Sequence, residues 1–367
     1  QKLQTMKKIL IYGIFIISTI SILMMESCGN DPVDLPEPNN PYVLDFGIFP
    51  PPQIAIDNQL TDQGVKLGRM LFYEKMLSSN NQMSCASCHN QNTAFSDTNK
   101  LSIGVLGLPG GRQAMSVFNM AWNTNEFFWD GRAHLLRDQS LKPIQDSLEM
   151  HETLPSVLAK LQSSEMYTKQ FRNAFGTETI TAELMSKAME QFMNSIVSNR
   201  SKYDDYLANT TTLSATEERG RFLFFTEFNP AFPDASGADC QHCHGGSNFE
   251  NDKYMNNGID DDASMTDIGR QKVTNSTLDK AKFKVPSLRN VELTHPYMHD
   301  GRFRTLEEVV EHYNLVTNSS TLDGSFQQQL PYGGLKLSKE DKSALVAFLK
   351  TLTDHQLTND TRYTSPF

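Results

Sequence analysis

Four of the five cysteines fall into two Cys-x-x-Cys-His motifs, Cys85-Ala86-Ser87-Cys88-His89 and Cys240-Gln241-His242-Cys243-His244. Two thiols at this spacing can add across the vinyl groups of one porphyrin edge, while the adjacent histidine turns underneath to bind the iron. Cys85, Cys88, Cys240 and Cys243 are therefore candidates for covalent attachment of two haem c groups, with His89 and His244 as axial ligands. Other uses of paired cysteines fit less well. A zinc site has no need of a histidine directly after both pairs. A thioredoxin-like pair sits beside a βαβ pattern, which is missing. Disulfides across two residues close loops too small to stabilise much.

The surroundings of the motifs repeat. Gly68-Arg69-Met70-Leu71-Phe72 precedes the first motif, and Gly220-Arg221-Phe222-Leu223-Phe224 precedes the second. Each closes a helical pattern that starts after a polar cap, Thr61-Asp62 in one and Ser214-Ala215-Thr216 in the other. Apolar residues three and four apart predict further helices over 154–161, 182–197, 306–313 and 339–352. No alternating strand pattern stands out. The expectation is a mainly α protein of two cytochrome c-like domains, each with one covalent haem, long loops and little strand. The boundary is expected near Tyr206 to Leu213, giving domains over 46–208 and 209–355 and a tail over 356–367.

Lys7 and Lys8 precede an apolar run from Ile9 to Met25 that ends at Ser27-Cys28. This predicts a lipoprotein-type signal peptide over 1–28, starting at Met6, with Cys28 lipidated. A plain anchor helix is the competing reading, but the polar, proline-rich stretch in 29–45 suits a tether better. The expected location is the periplasm or cell envelope, held to a membrane by lipid. The length of 367 residues suits two domains, and 38% hydrophobic with 21% charged residues suits packed cores. A net charge of −10 argues against nucleic acid as a partner. It leaves room for a basic redox protein docking by charge, although the same balance also describes an ordinary soluble surface.

Beyond the motifs, Phe128-Trp129-Asp130-Gly131-Arg132-Ala133, then Gln139, Pro143 and Glu149-Met150, resemble the bacterial dihaem cytochrome c peroxidase and MauG family. So do Pro286-Ser287-Leu288-Arg289-Asn290, Pro296-Tyr297-Met298-His299-Asp300-Gly301 and Thr305-Leu306-Glu307-Glu308. The resemblance runs from about Leu44 to Leu352. It implies that His89 holds the peroxide-reacting haem, with Glu149 as distal acid–base, Gln139 orienting the bound peroxide, and Trp129 bridging the haems for electron transfer. It also implies calcium between the haems, bound by the carbonyls of Thr294 and Pro296 and by an asparagine. Gln113 stands at the asparagine's place; its amide oxygen suits calcium, with a longer side chain.

The chain departs from the peroxidase members in two places. They carry a distal histidine on the loop after the first motif, whereas here no histidine lies between His89 and His134, and the loop reads Ser102-Ile103-Gly104-Val105-Leu106-Gly107. An open position beside Gln139 and Glu149 is expected from the outset, with Gly104, Gly107, Gly110 and Gly111 letting the loop move and Met115 as the fallback ligand. They also supply a methionine fourteen residues after the histidine of Pro-Tyr-x-His, where this chain has Tyr313, as in MauG-like members; Met298 and His312 are the rivals. The leading expectation is an enzyme that reduces hydrogen peroxide with electrons from a small exported donor, a cytochrome c or a cupredoxin. A MauG-like oxidase of a protein or organic substrate and a pure electron-transfer cytochrome are the alternatives. A homodimer is compatible with either. Trp122 and Trp129 both lie in the first half, so no aromatic relay from the second haem is evident.

Overall fold

Side-chain caps set the starts of the principal helices. Thr61 accepts a hydrogen bond from the Gly64 N–H at the head of α1 (Asp62–Tyr73). α2 (Leu136–Gln145), α3 (Leu154–Gln162), α4 (Glu165–Phe175) and α5 (Ala182–Ser195) complete the first half. The second half holds α6 (Lys202–Leu207), α7 (Ala215–Phe225), α8 (Gln271–Thr274), α9 (Leu306–Asn314), α10 (Gly324–Gln327) and α11 (Lys339–Lys350). Ser214 and Thr305 form reciprocal capping boxes with Glu217 and Glu308 at α7 and α9. The computed structural model describes residues 36–367, so the leader and Cys28 lie outside the described residues. Among those described, the one named sheet pairs β1 (Tyr254–Met255) with β2 (Phe283–Lys284), antiparallel. No described helix is long and apolar enough to cross a membrane.

The repeated Gly-Arg-x-Leu-Phe has a packing reason. α1 crosses α5, and a Cβ on Gly68 would lie 1.9 Å from the Ala188 carbonyl oxygen and 2.7 Å from Phe192 Cβ. α7 crosses α11 in the same way, with a Cβ on Gly220 meeting the Ala344 carbonyl oxygen at 1.9 Å and Phe348 Cβ at 2.8 Å. Both crossings need backbones in contact, which only glycine allows. The leucines and phenylalanines that follow, Leu71, Phe72, Leu223 and Phe224, are all buried.

Pro38–Phe367 form one compact unit that contains two apolar clusters. One is centred on α1 and α5. The other is centred on α7 and α11 and takes in Tyr203, which places the crossover between clusters before α6 rather than at 206–213. The segment expected as a tail is not loose. Leu357 and Tyr363 are buried in the first cluster, and the Tyr363 hydroxyl donates to Ser195 O at 2.9 Å and accepts from Val197 N–H at 3.2 Å. Gln91 donates to the carbonyls of Leu357 and Asp360, both at 2.9 Å. The last residues thus close over the first half.

Two of the longer helices, α2 and α4, escaped the apolar-spacing reading, as did the short α6, α8 and α10. α2 is polar and carries Pro143, whose missing N–H leaves the Gln139 carbonyl without its intrahelical partner. α4 buries Tyr167, Phe171 and Ala174 at spacings of four and three, behind a charged outer face. The ends expected at Val197 and Leu352 fall at Ser195 and Lys350, within the usual uncertainty of a helix end.

Candidate active site

Each Cys-x-x-Cys stretch folds into a tight turn, with His89 N–H on Cys85 O and His244 N–H on Cys240 O, both at 2.9 Å. The histidine rings are then fixed by backbone carbonyls. His89 Nδ1 lies 3.1 Å from Phe95 O, while His244 Nδ1 lies 3.2 Å from Phe249 O and 3.1 Å from Pro286 O. A carbonyl only accepts, so Nδ1 carries the proton and Nε2 keeps its lone pair for a metal. Burial keeps both rings neutral, lowering His89 and bringing His244 down to about 4. Burial also pushes the Cys85 thiol up to about 12, Cys88 to about 11, and Cys240 and Cys243 to about 12. None of the four is paired in a disulfide. In the second half a cavity of about 240 Å³ runs from Cys240, Cys243 and His244 to Met298 and Tyr313. A neutral histidine, two adjacent thiols and an apolar slot fit a haem. The first motif has the same turn and the same histidine bond.

On the first side, α2 presents Gln139, and the turn after it presents Glu149. That turn is tied by Glu149 N–H to Asp146 O and Met150 N–H to Pro143 O, both at 3.1 Å. Gln139 is half-buried, and its amide has no protein hydrogen-bond partner among the described residues. Glu149 is pushed up to about 7, by burial first and then by the neighbouring Asp146, with Arg132 opposing. Its charge is felt at both Cys85 and Cys88, so the carboxyl and the first motif share one site.

The glycine-bearing loop over 102–107 packs on this turn. Val105 N–H donates to Glu149 O at 2.8 Å, and a Cβ on Gly104 would meet Leu148 O at 2.1 Å. Gly104 N–H bonds Leu108 O and Gly110 N–H bonds Ser102 O. Gly104 is therefore a close-contact residue rather than a hinge, which corrects the expectation that it lets the loop move. Met115, the fallback ligand, borders the cavity that runs from Cys240 to Tyr313.

Between the halves, Trp129 is buried and borders the second cavity, and its indole N–H donates to Gln113 O at 2.8 Å. Gln113 N–H in turn donates to His299 O at 2.8 Å. His299 stacks on Phe283 with centroids 3.7 Å apart. Trp129 and His299 sit at matching places in two like hairpins. Phe128 and Met298 have φ of +69° and +73°, and the following Asp130–Arg132 and Asp300–Arg302 pairs both bond. This second repeat was legible as two Asp-Gly-Arg triplets and was passed over. Gln113, Thr294 and Pro296 border the same cavity; the Gln113 amide nitrogen donates to Ser96 Oγ and Asp97 O, leaving its oxygen as the donor for a cation.

Opposite His244, Met298 and Tyr313 border the cavity and His312 does not. His312 Nε2 is held 3.1 Å from Asn257 O. Burial raises the Tyr313 hydroxyl to about 12. Two residues of this site went unread in the sequence: Asn257, and Glu250, a buried carboxyl on the cavity wall pushed up to about 7 by burial and by Asp252. Neither belongs to a spacing pattern, so only the fold reveals them.

Comparison with known proteins agrees with this geometry. A family model described as di-haem cytochrome c peroxidase matches residues 62–212. The chain is 33% identical over 301 residues to the methylamine utilization protein MauG of Methylophilus methylotrophus, covering 81% of this chain and 84% of that protein. It is 34% identical over 297 residues to the cytochrome c551 peroxidase of Nitrosomonas europaea, covering 79% of this chain and 80% of that protein. Among solved structures, a MauG-like protein associated with microbial copper homeostasis superposes with a TM-score of 0.79 at 30% identity, covering 88% of this chain and 98% of that one.

Proposed function

We propose that this chain, which belongs to the dihaem cytochrome c peroxidase and MauG family, reduces hydrogen peroxide at the site formed by Glu149 and Gln139. The family carries two haems. Here Cys85, Cys88 and His89 would hold one and Cys240, Cys243 and His244 the other, each through two thioether bonds. Bound haem supplies the redox-active iron. Reduction of one peroxide to two waters consumes two electrons and two protons. Glu149, with a carboxyl near neutrality, takes a proton from one peroxide oxygen and returns it to the other. Gln139 holds the peroxide by its unpartnered amide, and Trp129 connects the two halves. The observation that carries this reading is the raised carboxyl of Glu149 beside the first motif, since a relay protein has no use for a distal acid.

Electrons come in this reading from a small exported cytochrome c or cupredoxin, in a periplasmic or envelope setting with Cys28 as the lipid anchor. Calcium would bind at Gln113, Thr294 and Pro296, whose oxygens suit it. Tyr313 on the cavity wall favours a second reading, MauG-like oxidation of a protein or organic substrate. Steady-state turnover with peroxide and several donors separates the two. Oxidised protein mixed with peroxide should react before any reductant is added, because Val105 offers no ligand. A spectrum unchanged until one electron is supplied would show a capped iron and defeat this account of the loop.

A further inference from the structure

The residues facing His244 include two that can bind iron, and one side chain touches both. Asn257 Nδ2 lies 3.3 Å from Met298 Sδ and 3.3 Å from the Tyr313 hydroxyl oxygen. An amide nitrogen carries two N–H donors, so both contacts can be made at once. The same residue's carbonyl holds His312 away from the cavity. Asn257 itself is firmly placed. Asn256 before it is buried and donates to Ser319 Oγ and Thr321 Oγ1. Gly258 after it has φ +65°, and a Cβ there would meet Thr317 O at 2.5 Å. Tyr313 rests against Phe326 with planes 17° apart, and Met298 sits at the bend of its hairpin.

We propose that Asn257 is a positioning residue that keeps Met298 and Tyr313 as alternative ligands for the one position opposite His244, and that the oxidation state selects between them. This rests on the reading of His244 as a haem ligand. A phenolate is a hard, anionic donor suited to oxidised iron, whereas a thioether is soft and suited to reduced iron. On arrival of one electron from the exported donor, the bond to the Tyr313 oxygen breaks and that oxygen takes up one proton from solvent. The bond to Met298 sulfur forms. Reoxidation reverses both changes and releases the proton. Asn257 donates to whichever atom is not engaged, so the departing group stays within reach.

The test uses the purified dihaem protein and three variants, Met298→Leu, Tyr313→Phe and Asn257→Leu, each first weighed for two haems per chain. Resonance Raman spectra of the oxidised protein should show a tyrosinate–iron signal, lost in Tyr313→Phe and kept in Met298→Leu. Proton NMR of the reduced protein should show an upfield-shifted methionine methyl, lost in Met298→Leu and kept in Tyr313→Phe. Asn257→Leu should show one ligand in both states. With two haems retained, a reduced Met298→Leu spectrum identical to that of the parent overturns the exchange alone. A parent chain that carries no haem on Cys240 and Cys243 overturns the reading of the site on which it rests.

Discussion

The two halves share a scaffold and differ in what faces the histidine. In both, a glycine lets two helices touch where a Cβ would lie 1.9 Å from a carbonyl oxygen, and a backbone oxygen fixes the histidine ring. On the first side, the proposed peroxide site has a carboxyl raised to about 7 and a half-buried amide. Across from His244 stand a thioether and a phenol sharing one donor. The scaffold therefore sets only where a metal group can sit. In the proposed reading, whether that group would react with a small molecule or pass electrons is decided by a handful of side chains on the far wall.

The most drastic way to break the comparison is to empty one half. Replacing Cys85 and Cys88 by serine should leave one haem per chain by mass and abolish peroxide turnover. Replacing Cys240 and Cys243 should also leave one, but with the ligands of the first side spectroscopically unchanged. Next in size is Glu149→Gln, which keeps shape but cannot carry a proton. Turnover should fall by roughly 10²–10⁴-fold with haem content intact. Unchanged turnover would remove Glu149 from the mechanism.

The shared scaffold predicts equal sensitivity. Gly68→Ala and Gly220→Ala each force a Cβ onto a helix carbonyl, and each should cost about 3 kcal/mol in chemical denaturation. A large difference between them would show that the two crossings are not equivalent in energy. The smallest effect is on pH dependence. A carboxyl raised to about 7 is the proton acceptor only above that value. The rate should therefore fall about tenfold per pH unit below it and level off above. The limb should vanish in Glu149→Gln. Linkage runs the other way: the folded state holds this proton more tightly than the unfolded chain. Its contribution to stability is full below the ordinary carboxyl range and is lost as pH rises through about 7. Relative to the parent, Glu149→Gln should thus gain stability on going from acid to alkaline buffer.

Much of the scaffold was legible because it repeats. The Gly-Arg-x-Leu-Phe segments lie where their caps and spacing put them, and the helices at 154, 182, 306 and 339 start as expected. The first-side residues were reachable through a family resemblance, not through spacing, since a carboxyl and an amide ten apart carry no pattern of their own. Asn257 and the burial of Tyr363 were out of reach for another reason. Both depend on contacts across long stretches of chain, to residue 313 in one case and to 195 in the other. The role of Gly104 was misread because glycine serves mobility and close approach alike, and only the neighbouring Leu148 carbonyl tells them apart.

The buried ring of Tyr363 has a consequence for how the molecule comes into being. Its hydroxyl bridges Ser195 and Val197 at the end of α5, and Leu357 fills the same cluster. Synthesis runs from the amino terminus, so the half that is made first lacks these pieces until residues 357–363 emerge. The second cluster needs nothing beyond Leu352. The first cluster is therefore completed only by residues that follow the whole of the second along the chain.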